Sequence, residues 1–295
     1  LPGCSLLFAV VASVLFCAAP APAVRAPLLA TVCAQTGVVR AEARAEATAE
    51  GAAVRINDFV AERKAQLRAV AQDNVDELKA PDLTARLSAY FNSQSTFDGI
   101  QIYDLKGRSI AVSAPGLDLS PTPSASTFVN SLSIETMGPV TLHGRVGLDW
   151  IMTAPILGSD IKPQGVVVGD INVAVLGRLL NPYGLDASPG NDQEMHLINA
   201  QHHLLYSPPW GVPTDENTTV PPGALTVAAE GSIYEQVLTG GGGGGAAQIV
   251  DYRHHSVYTG YEPIPSLGWV VVASIETASA LAPVHEQELR TSLLQ

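Results

Sequence analysis

Past Cys33 the sequence contains no cysteine; the three it has, Cys4, Cys17 and Cys33, all lie in the apolar amino-terminal stretch. The remainder of the chain therefore carries no disulfide framework, no cysteine-ligated zinc site and no cysteine nucleophile. Positive charge is also scarce. The 16 Lys and Arg against 28 Asp and Glu leave a net charge of −12. No basic stripe is available to displace counterions from phosphate, which excludes nucleic acid as a partner, and the acidity opposes docking on anionic lipid. Ser, His and Asp are present, but none sits in a nucleophile-elbow context. The glycine run Gly240–Gly245 leads into a strand-like segment with no lysine after it. It reads as a hairpin loop between 235–239 and 248–252 rather than a phosphate cradle. His202-His203 and His254-His255 are adjacent pairs, and neighbours on a regular strand point to opposite faces. Neither pair chelates one metal from a strand, which leaves only a site built from one histidine of each pair. No enzymatic activity of this region, no metal and no cofactor are expected.

What is present begins with an apolar amino terminus. From Cys4 to Val39 the only charge is Arg25, and Leu6–Ala19 is the densest apolar part. Two readings stand. A secretory signal would end near the small-residue pattern Ala21-Pro22-Ala23. A retained membrane anchor would draw its roughly 20 apolar residues from within 1–39. Both send the rest of the chain across a membrane, so the localisation expected is a cell membrane with the soluble part extracytoplasmic. Cys33 faintly resembles a lipoprotein acylation site, but Val32 stands where a small residue is wanted.

From Arg40 to about Ala80 the chain is rich in Ala, Glu, Arg, Leu and Gln and has no proline, with Val54, Phe59, Leu67, Val70, Val75 and Leu78 at helical spacings. This predicts an amphipathic helix of ~40 residues and ~60 Å. A helix of that length acts as a spine or a homodimer seam, or else lies solvated along one face. Pro81-Asp82-Leu83 ends it, and 84–94 gives a second, short helix, closing a segment 40–96. Two stretches then share one grammar. Phe97–Ser113 with Asp149–Leu180, and Glu194–Pro208 with Val257–Val284, each run as strand, polar turn, strand, a strand ending in proline, a glycine, a valine run and a helix. The modules are placed at 97–180 and 193–282, with 181–192 as linker by composition and 283–295 as a carboxy-terminal helix leading toward a further membrane span. Asp104-Leu105-Lys106-Gly107 is a tight hairpin turn with glycine where φ is positive. Asn199-Ala200-Gln201-His202 holds the same place without glycine and is expected to be looser. Trp269 is expected to cap the core of the second module.

The order of spine, D-x-x-G-R turn at 104–108, A-P-I at 154–156, G-V-V-V-G-D-I at 165–171 and G-W-V-V-V at 268–272 resembles the double Cache sensor domains of bacterial chemoreceptors, sensor histidine kinases and cyclic-di-GMP enzymes. The resemblance covers about Arg40 to Pro283. It implies an α+β fold, with a long amino-terminal helix along two stacked PAS-like modules, each an antiparallel sheet flanked by helices. It also implies an input domain that binds a small molecule in the membrane-distal module and passes the signal through helices. A secreted or periplasmic solute-binding protein is the alternative. In the amino-acid-binding branch, an R-x-W-Y signature and an aspartate hold the ligand's carboxylate and ammonium. Asp170 matches that aspartate. The signature is missing from 128–149, where Arg145 is the nearest basic residue, which counts against an amino-acid ligand. Tyr103, His143 and Trp150 complete the candidate pocket lining, although core packing is the commoner fate of Tyr103 and Trp150. The partners expected are a small carboxylate or amine and the membrane, with the long helix as a dimer seam.

Overall fold

A computed structural model describes residues 22–76, 78–94, 97–113, 125–143, 147–180, 193–206, 243–251 and 254–282, with side chains from residue 35 onward. Helix α1 (Pro22–Asp73) spans 52 residues. It begins earlier and ends sooner than the spine expected at 40–80. Its amino-terminal part runs through 22–39 with Pro27 inside it, and no further proline interrupts the chain before Pro81. Its end is set by Asn74, whose Nδ2 donates to the Val70 carbonyl at 2.7 Å. The Asn74 and Val75 amides donate to the carbonyls of Ala71 and Gln72, three residues back, tightening the last turn. Helix α2 (Leu83–Gln94) follows. Leu6–Ala19 and the segment 283–295 lie outside the described residues, and no described helix is long and apolar enough to cross a membrane.

The first sheet comprises β1 (Gly99–Asp104), β2 (Ser109–Val112), β3 (Thr136–His143), β4 (Gly147–Leu157) and β5 (Pro163–Asn172), in the order β2-β1-β5-β4-β3. Helices α3 (Ala125–Ser131) and α4 (Ala174–Leu180) accompany it. The second comprises β6 (Gln193–Ile198), β7 (Leu204–Tyr206), β8 (Gly245–Val250), β9 (Ser256–Ile264) and β10 (Trp269–Glu276), in the order β7-β6-β10-β9-β8. All pairings are antiparallel. The duplication is thus literal. Each valine-rich strand, β5 or β10, lies at the centre of its sheet. Strand β8 pairs with β9, and the 235–239 arm expected across the glycine run lies outside the described residues.

One buried stripe of α1 serves both sheets: Ala41, Ala45, Ala49, Ala52, Ile56, Phe59, Leu67 and Val70 recur along one face at helical spacings. Alanine predominates where the helix meets β9, and larger side chains fill the space against the first sheet. The small residues permit an unusually close approach. A Cβ on Gly260 of β9 would fall on the backbone of Ala45 and Glu46. Where the modules meet, the Trp150 and Trp269 ring centroids are 4.9 Å apart, and Phe59 of α1 stacks on Trp150 at 6.3 Å. Trp269 therefore caps the core of the second module and also touches the first.

The Asn199 turn is a correction to the looser loop expected. Asn199 Oδ1 accepts from the Gln201 and His203 amides at 3.0 and 2.9 Å, and His202 adopts φ 62° in place of glycine. Asp104 does the same for Lys106 and Arg108, with Gly107 at φ 73°. The side-chain cap closes both turns, so glycine is dispensable. His202 and His254 both sit in such turns with positive φ, not on regular strands, and no described group of His, Cys, Asp or Glu residues is placed to hold a metal.

Against the same seam, burial together with Glu50 and Glu46 of α1 pushes the Glu262 carboxyl of β9 above its ordinary value. The folded state then binds the proton more tightly than the unfolded chain. Stability consequently falls as pH rises from the ordinary glutamate pKa through the raised one. Glu262→Gln is expected to raise the melting temperature at about pH 7 and to change nothing below about pH 4, where glutamate is already protonated. Thermal melts of both proteins across that range check it.

Candidate functional site

The two faces of the first sheet differ in chemistry. Ile100, Ile102, Trp150, Met152, Val167 and Ile171 belong to the buried cluster against α1. Tyr103, Ile151, Val166 and Val168 form a second cluster on the other face, joined by Phe128 and Leu132 from α3 and the turn after it. The alternation of strand side chains puts Gln101, Thr153 and Asp170 on that outer face as well. Its polar groups are tied together. Tyr103 Oη donates to Gln101 Oε1 at 3.0 Å, and Gln101 Nε2 to Ser109 Oγ at 2.6 Å. Thr153 Oγ1 donates to Ser131 Oγ at 2.7 Å and lies 2.6 Å from Thr136 Oγ1, while Ser131 Oγ donates to the Thr127 carbonyl. Phe128 meets the Tyr103 ring edge-on at 6.3 Å.

Asp170 stands half-buried on β5, directly opposite Ile151. Its Oδ1 accepts from the Trp150 amide at 3.3 Å, and its carbonyl accepts from the Asp98 amide at 2.8 Å. Asp149, buried and paired in register with Asn172, places a second carboxylate on the same face. None of the five strands contains a lysine or arginine. The face thus joins apolar surface, fixed hydroxyls and two carboxylates, with no lysine or arginine on its strands.

Of the candidates named from sequence, Asp170 and Tyr103 share this face. Trp150 does not. It pairs with Ile171, points toward α1 and is fully buried among the junction aromatics, because its position in β4 is of opposite parity to Ile151. His143 ends β3 opposite Gly147, and Arg145 lies outside the described residues. Sequence reasoning missed Gln101, Ser131, Thr136 and Thr153. Their only signal is polar residues alternating with the apolar ones of a buried strand, visible in Gln101-Ile102-Tyr103 and Met152-Thr153-Ala154.

The Cache domain family model matches residues 38–284. Solved structures share the fold. The ligand-binding domain of the Pseudomonas aeruginosa PAO1 amino acid chemoreceptor PctB, in complex with L-Gln, is 16% identical with a TM-score of 0.53, and the match covers 85% of this chain and 99% of that one. The ligand-binding domain of the Pseudomonas fluorescens chemoreceptor CtaA, in complex with L-isoleucine, is 15% identical with a TM-score of 0.54, covering 81% and 93%. The periplasmic sensory domain of the Campylobacter jejuni chemoreceptor Tlp1 is 12% identical with a TM-score of 0.56, covering 84% and 99%. No curated protein sequence matches the chain. The chain belongs to the Cache domain family and is a sensor input domain of the double-Cache type.

Proposed function

We propose that this input domain lies outside the cytoplasm, attached to a membrane through 1–39, and that it binds a small amine on the outer face of the first, membrane-distal sheet. The observation that carries the ligand class is the pair Asp149 and Asp170 on a face whose strands hold no lysine or arginine. There an ammonium would gain a charge-assisted hydrogen bond from Asp170. Tyr103, Phe128 and Ile151 supply apolar contact for the rest of the molecule. PctB and CtaA, in complex with L-Gln and L-isoleucine, bind molecules that carry an ammonium group. The R-x-W-Y signature is missing here, so the recognition retained is of the amine end.

Ligand binding would be transmitted through β4 to the Trp150–Phe59 contact and so to α1, which runs on toward 1–39. Such a helix carries small displacements over its whole length. A homodimer seam along exposed α1 positions such as Val39 and Val54 accords with this arrangement.

In a thermal-shift screen, amines at ~100 times their Kd are expected to raise the melting temperature by about 5 °C or more. Asp170→Asn is expected to weaken that binding at least tenfold, given about 1.5–3 kcal/mol for a hydrogen bond to a charged group. Stabilisation by simple carboxylates but not by amines would overturn this reading.

A further inference from the structure

Between the modules lies a cleft of about 130 Å³, separate from the outer face of the distal sheet. One wall is the irregular stretch of β3, where the register shifts between Met137 and Val140. The other walls are the Asn199 turn, the β9–β10 turn at Ser266 and Leu267, and Trp269. Two of these residues bring nitrogen donors that no described residue accepts from. Asn199 is 8% exposed, and its Oδ1 is fully engaged by the Gln201 and His203 amides. That engagement fixes which end of the amide is oxygen. Its Nδ2 donates to no described residue. Trp269 is 4% exposed, and its Nε1 likewise donates to no described residue.

A carbonyl oxygen seated in the cleft would take the place of water on these two donors. The apolar lining from Met137, Pro139, Val140 and Leu267 leaves room for a compact molecule. A cavity of comparable size holds benzene, so roughly six to eight non-hydrogen atoms fit. Neither donor is charged, and no described lysine or arginine lines the cleft. We infer that the junction is a second binding site, for a small uncharged carbonyl compound with a planar or compact apolar body. Its carbonyl oxygen accepts from Asn199 Nδ2 and Trp269 Nε1.

The site differs from the amine site in charge preference, and it adjoins the aromatic contact joining the modules, since Trp269 lies against Trp150. A molecule seated there would bear on the same Trp150–Phe59 contact that links the distal sheet to α1.

The test titrates the purified protein with 2-pyrrolidone, uracil and benzamide, measuring tryptophan fluorescence and melting temperature, with cyclopentylamine and acetate as controls. Asn199→Asp is the decisive variant. It keeps the oxygen that accepts from the Gln201 and His203 amides, so the turn survives, but it replaces the donor by a second oxygen. The expected result is saturable, millimolar binding of at least one carbonyl probe, accompanied by a change in fluorescence. Asn199→Asp should weaken that binding by about tenfold or more while the variant melts as a folded protein. Asp170→Asn should leave it unchanged, which separates this site from the amine site. Failure of all three carbonyl probes to bind, or binding equal in Asn199→Asp and the unaltered protein, overturns the proposal. Should Asn199→Asp melt early, Trp269→Phe, which removes the indole donor and keeps an aromatic ring, replaces it under the same criterion.

Discussion

Gly260→Val is expected to destabilise the protein by about 3 kcal/mol or more, the upper end of what overpacking a well-packed contact costs. The reason lies in what the new side chain would meet. Most core insertions push against side chains that can change rotamer. At Gly260 the first atoms encountered are the backbone of Ala45 and Glu46 in α1, and a helix backbone yields only by moving as a body. Strand β9 cannot retreat, because it is paired with β10 on one side and β8 on the other. The substitution therefore separates the spine from the second sheet along its alanine stripe. Chemical denaturation measures the loss. Gly243→Ala is the control: a Cβ there has nothing within 4 Å, so its effect should stay within about 0.5 kcal/mol.

Trp150→Ala is expected to cost about 3–5 kcal/mol, the range for emptying a buried aromatic site. Trp150 is fully buried and touches both α1, through Phe59, and the second module, through Trp269. Its removal opens a cavity where three elements meet. Trp150→Phe should be much milder. The Trp150 Nε1 is buried with no hydrogen-bond partner among the described residues, so phenylalanine loses packing volume but removes an unsatisfied donor, which is itself worth about 1–3 kcal/mol. Denaturant midpoints of the two variants check the ranking. Equal losses would show that the indole nitrogen is satisfied after all.

The architecture is legible in the sequence where residue spacing reflects burial directly. The valine runs at 166–168 and 270–272 form the two central strands, and the repeated order of elements is the repeated strand order of the sheets. Other features are hidden for physical reasons. Spacing alone starts α1 too late, because apolar residues in 22–39 serve a helix and a membrane segment equally well. It also ends α1 too far on, because the stop comes from the Asn74 side chain folding back on Val70, not from Pro81. The Asn199 turn looks loose when positive φ is assigned to glycine alone, whereas a side-chain cap lets His202 adopt it. In the candidate site, the place of Asp170 at the end of a valine run is readable from sequence. The direction of Trp150 is not, because parity along β4 depends on its pairing with β5, which only three-dimensional register fixes. The Ser131–Thr136–Thr153 cluster gathers residues from a helix and two strands, and no short motif records such a meeting.

Hydrogen–deuterium exchange with and without a stabilising amine tests most directly whether the distal outer face is the ligand site. The expected result is protection in peptides covering 99–104, 147–157 and 163–172, lost in Asp170→Asn, with 256–264 and 269–276 changed little. Protection confined to the second sheet, or undiminished in Asp170→Asn, would contradict it.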